Sequence, residues 1–105
     1  MLRIDYRNNI SLHIRDNAII HFKLCDCSEE ERLQKGDVVI FHSAGLTEEL
    51  KNEITVQEFT DDGIAKIHIP AYEEPYAGRY CIRVIKADGR EETVIDGNFI
   101  RIGGC

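Results

Sequence analysis

The chain has no tryptophan, only two prolines, no run of basic residues and no long apolar window. With Pro70 and Pro75 its only prolines, it carries no proline-rich linker or recognition tail. Its formal charge is −6, from 19 acidic against 13 basic residues, and its densest charge cluster, Glu29-Glu30-Glu31, is acidic. Nucleic-acid binding needs a clustered basic surface to displace counterions from phosphate, so no nucleic-acid partner is expected. No window approaches the ~20 apolar residues of a membrane-crossing helix, so no membrane partner is expected either. The start, Met1-Leu2-Arg3-Ile4-Asp5, lacks the apolar stretch of a secretory signal. That places the expected product in the cytoplasm, as a complete chain.

Cysteine is sparse and unpaired in pattern, at Cys25, Cys27, Cys81 and Cys105. Without export the cytosol keeps such thiols reduced. A zinc site takes four ligands, with the usual sequence sign of paired Cys-x₂₋₄-Cys or His-x₃₋₅-His. Only Cys25 and Cys27 lie close in sequence, and on a strand they would share one face ~6–7 Å apart. Reduced thiols are therefore the expectation, with no metal and no cofactor. His13, His21 and His68 fall at the polar positions of alternating segments, and His42 follows Phe41 near a strand end. A Cys–His nucleophile pair needs convergence in space, which spacing alone does not reveal. The chain has no G-x-S-x-G, no H-E-x-x-H and no phosphate-cradling glycine loop. Asp61-Asp62-Gly63 is too short for the patterned oxygen ligands of a calcium loop and reads as a turn. The chain is expected not to be an enzyme.

What is present is period-two alternation, the mark of half-buried strands. At 43% hydrophobic and 30% charged, the chain can fill one core and no more. Ile10 to Arg15 alternates aliphatic and polar residues, and after the turn Asp16-Asn17 so does Ile19 to Leu24. Gly36-Asp37 opens Val38-Val39-Ile40-Phe41, a run that predicts a strand buried on both faces or nearly so. Ile54 to Gln57 feeds the turn at Asp61-Asp62-Gly63 and is answered by Ala65 to Ile69, which Pro70 ends. Tyr80, Ile82 and Val84 alternate with Cys81, Arg83 and Ile85. Asp88-Gly89 is a hairpin signal, and Gly97 is read as a bulge between Glu92–Ile95 and Phe99–Ile102. Single helical turns are expected at 28–31, where Ser28 begins a capping-box pattern, and at 46–51. The sum is one all-β domain over 1–105, with its core at about 9–102, a short N-terminal lead and a flexible Gly-Gly-Cys tail. Its fold class is an antiparallel sandwich of about 7–8 short strands. Leu12, Phe22, Phe41, Ile67, Ile82 and Phe99 are its expected core.

The loop Ala71 to Tyr76 carries the expected interaction residues Tyr72, Glu73, Glu74 and Tyr76. Tyrosine offers a large contact area with a polar tip, which suits interfaces. The alternative is that Tyr72 or Tyr76 closes the end of the sandwich as a lid.

Three segments also resemble a known family. Ala77-Gly78-Arg79-Tyr80-Cys81-Ile82-Arg83-Val84, Ala87-Asp88-Gly89 and Ile95-Asp96-Gly97-Asn98-Phe99-Ile100 together resemble the C-terminal half of small immunoglobulin-like domains in tailed-phage and prophage structural proteins, among them the N-terminal module of baseplate upper proteins. Lys35-Gly36-Asp37-Val38-Val39-Ile40-Phe41 is similar to that family's strand opening, and Asp16-Asn17 stands where a basic-Gly-Asp turn is common. The resemblance covers about residues 9–102 and rests on turn and core positions. It implies an immunoglobulin-like sandwich in a virion tail, neck or baseplate, found in the virion or the bacterial host cytoplasm. Its partners would be copies of itself and other virion structural proteins. In immunoglobulin domains a cysteine follows the corner tyrosine by two residues. Here Cys81 follows Tyr80 directly, so an inter-sheet disulfide is not expected. The alternative function is an immunoglobulin-like adhesion or carbohydrate-binding module.

Overall fold

The computed structural model describes residues 2–24, 32–44, 46 and 52–103. These residues form eight strands: β1 (Arg3–Ile4), β2 (Ile10–His13), β3 (Ala18–Phe22), β4 (Val38–Ser43), β5 (Glu53–Val56), β6 (Ala65–Ile69), β7 (Tyr76–Ile85) and β8 (Glu91–Ile102). No helix occurs among the described residues. The turns expected at 28–31 and 46–51 lie outside them, apart from Leu46, and so do Cys25, Cys27 and Cys105.

The strands make an unequal sandwich. One sheet has six strands in the order β1-β2-β8-β7-β4-β5, and the facing sheet has two, β3-β6. Pairing is antiparallel with one exception, because β2 runs parallel to β8, Ile10 beside Phe99 and His13 beside Ile102. Such a pair cannot form through a hairpin, and here it joins the second strand to the last.

Alternation sorts the side chains as the sequence requires. Leu12, Phe22, Phe41, Ile67, Ile82 and Phe99 are all buried. Phe41 stacks on Tyr80 at 5.2 Å between ring centres and meets Phe99 edge-on at 5.9 Å. Burying a phenylalanine of this kind contributes roughly 1.5–3 kcal/mol. His13, His21, His42 and His68 are exposed.

Four expectations change on folding. In β4 Val39, Phe41 and Ser43 are buried, while Val38 and Ile40 on the other face are half-buried. The turn before β6 is a tight one, with the Thr60 amide donating to Ile64 O and the Gly63 amide to Thr60 O. Yet β5 does not pair with β6 across it. β5 belongs to the larger sheet, and only Phe59 bridges Ala65. β7 and β8 are long, at 10 and 12 residues, because one hairpin carries both. Its turn closes through Gly89 N to Lys86 O and Lys86 N to Arg90 O, with Gly89 at φ 96° as the bulge position requires.

Gly97 is not the bulge. β8 is continuous there, and the register slips three residues earlier, where Ile82 pairs with Ile95 but Arg83 with Thr93, leaving Val94 as the extra residue. Gly97 serves a close approach instead. A Cβ there would stand 2.6 Å from the Asn8 carbonyl oxygen, which in turn accepts the Tyr80 hydroxyl proton.

Candidate functional site

The loop expected to mediate contact leaves the end of β6 at Pro70 and enters β7 at Tyr76. Its backbone is tied down where the Arg15 amide donates to Tyr72 O at 2.9 Å. Both tyrosines turn towards the protein. Tyr76 lies across Gly78 and meets Phe99 edge-on at 6.1 Å. Tyr72 lies against the Arg101 guanidinium, 5.9 Å from its ring centre. Each is half-buried, whereas Glu73, Glu74 and Pro75 are exposed. The rings close over the sandwich end as a lid while keeping part of their surface exposed, beside the exposed Ala71, Glu73, Glu74 and Pro75.

Beneath this lid is Arg101, which sequence reasoning did not single out. It sits two residues beyond Phe99, so strand periodicity turns it inward, and it is 1% exposed. Its guanidinium donates to Pro70 O at 3.0 Å and lies 5.3 Å from the Phe99 ring centre. Burial pulls its pKa below the ordinary arginine value, against an opposing push from Tyr72. The alternation was visible in the sequence; the charge hid it.

The structure also brings together two residues that spacing left apart. His42 and Cys81 are direct partners across β4 and β7. With Glu53 beside His42 and Asp96 beside Cys81, they form one rung, Glu53-His42-Cys81-Asp96, on the outside of the larger sheet. A hollow of about 470 Å³ lies there, lined in part by His42, Ala44, Cys81 and Asp96. Asp96 is engaged with Arg79 at 3.5 Å. Side chains on a rung point the same way a strand spacing apart, and do not converge on one point. Among the described residues no three His, Cys, Asp or Glu side chains are grouped to hold a metal ion.

Asp37, expected to open a strand, holds one together. Only 1% exposed, it accepts hydrogen bonds from the Ala87 amide (2.9 Å), the Gln34 amide (3.0 Å) and Lys86 Nζ (2.6 Å). Burial alone would raise its pKa. The Lys86 hydrogen bond and the two amides outweigh that and leave the carboxyl below its ordinary value.

The remaining feature is an open side. β5 ends the larger sheet and β6 has a partner on one side only. Between them runs a groove of about 520 Å³ lined by Ile54, Val56, Phe59, Ile64, Lys66 and His68, among others. Ile54 and Val56 face inward, opposite Phe41 and Val39, but remain half-exposed because the two-stranded layer is too narrow to cover them. A larger surface hollow of about 910 Å³ adjoins it between 33–38 and 57–61.

No protein-family model, curated protein or solved structure matches this chain.

Proposed function

We propose that the chain is a non-enzymatic structural component of a phage or prophage virion, in its tail, neck or baseplate, and that it acts by protein–protein assembly. The observation that carries the assembly part is the open side. Two strand edges and a half-covered apolar floor stand together where a larger sandwich would have more strands. Exposed edges pair with other chains unless covered or charged, and assembly covers them. The virion part rests on the turn and core motifs given above. The partners are copies of the chain and neighbouring virion proteins, and the location is the virion or the host cytoplasm.

The test is mass spectrometry of phage particles purified after induction of the host that carries the gene. The chain should be present at a fixed ratio to the major tail proteins. Absence from particles, or binding to a glycan array by the isolated monomer, would overturn the proposal in favour of a binding module.

A further inference from the structure

The two free edges on the open side are complementary to each other. β5 presents Glu53 and Thr55 on its outward face and Ile54 and Val56 inward; β6 presents Lys66 and His68 outward and Ile67 and Ile69 inward. Apolar matches apolar, and an acid on one edge matches bases on the other. Within one copy the two strands come near each other but belong to different sheets, and the only bridge between these segments among the described residues is Phe59 to Ala65. They also run in opposite directions, because the chain reverses at the turn before Ala65.

We propose that two copies join through this side about a twofold axis parallel to the strands, with β5 of each pairing antiparallel to β6 of the other. Such an axis keeps strand direction and exchanges front for back. The larger sheet of one copy then continues into the smaller sheet of the second, and the reverse contact forms at the same time, as an isologous interface requires. Phe59 already occupies the edge of Ala65, so pairing begins beyond it. The register that fits sets Thr55 beside Lys66, Ile54 beside Ile67 and Glu53 beside His68. Ile54 and Val56, half-exposed in one copy, become the floor of a shared core. The inference gives the assembly reading a surface and rests on that reading for its use in the particle, not for its geometry.

The pairing edges are short, so the contact falls below the ~800 Å² per partner of a standard interface and association is weak in dilute solution. Sedimentation or light scattering of the full chain should show its mass rising from the 12.0 kDa of one chain towards twice that as concentration rises from micromolar to several hundred micromolar. Hydrogen exchange at the amides of 53–57 and 66–69 should slow over the same range. Glu53→Lys or His68→Glu should each weaken association by about tenfold, since every dimer contains the altered pair twice. The double variant Glu53→Lys/His68→Glu should restore it. Both altered positions, Glu53 and His68, are exposed, and circular dichroism checks that each variant is folded. A mass that stays at one chain throughout overturns the proposal, as does a dimer that ignores both single variants. A chain found in particles yet monomeric alone would sink this dimer and leave the assembly reading intact. A dimer from a chain absent in particles would do the opposite.

Discussion

Replacing Asp37 tests whether the loop before β4 and the β7–β8 turn are held by a single buried carboxylate. The side chain is 1% exposed and its partner Lys86 12% exposed, so water screens the pair little. Asp37→Ala removes the acceptor of the Gln34 and Ala87 amides and the carboxylate facing the Lys86 ammonium. Breaking a buried pair from one side costs about 3–5 kcal/mol; the lower end, about 3 kcal/mol, is expected because the site lies at the rim of a surface hollow. A domain of this size has roughly 5–15 kcal/mol in all. With a urea slope of about 1–1.5 kcal/mol/M, the midpoint should fall by about 2–3 M in a far-ultraviolet dichroism titration at neutral pH. Asp37→Asn keeps the size and one acceptor, and should cost less. The pH dependence has a fixed sign. The folded carboxyl titrates below the unfolded value of about 3.9, so its stabilisation is complete above that value and is lost as pH falls through the depressed folded pKa. Asp37→Asn should lose that part of the acid sensitivity. A midpoint shift under about 0.5 M for Asp37→Ala, or an unchanged acid profile for Asp37→Asn, would refute the reasoning.

Further outcomes follow from the approach of Gly97 and Tyr80 to the Asn8 carbonyl. Gly97→Ala sets a methyl group 2.6 Å from the Asn8 oxygen, and should destabilise by about 1–3 kcal/mol in thermal unfolding, with faster amide exchange at 8–10. Tyr80 is 4% exposed, and its burial, with Asp96 and Asp5 nearby, pushes its phenol up to about 12. An ultraviolet titration should show a phenolate forming near that pH and missing in Tyr80→Phe. Because the folded value lies above the ordinary 10.0, stability from this group is whole below pH 10 and falls as pH rises towards 12. Tyr80→Phe should also lose about 1 kcal/mol at neutral pH with the bond to Asn8.

Much of this protein is local, and local features were legible. Strand alternation told which side chains go inside, because successive residues point to opposite faces whatever the strand's neighbours. So the aromatic and aliphatic core, the outward histidines and the turns at Gly63 and Gly89 could be read from residues alone. The same rule points Arg101 inward, but a charge there is explained only by neighbours distant in sequence, the Pro70 carbonyl and the Tyr72 ring among them.

Partnership is not local, and there the tertiary structure decided. Nothing in Ile10 to His13 says that it lies parallel to the last strand. Nothing in Glu53 to Val56 says that it pairs with β4 in the larger sheet and not with β6. The meeting of His42 with Cys81 and the burial of Asp37 against Lys86 both depend on register between segments far apart in sequence. The open side was invisible for the same reason. An edge exists only once it is known which strands are neighbours, and whether Ile54 is core or surface depends on how many strands the other layer has. Side-chain direction is a property of each strand; exposure is a property of the whole stack.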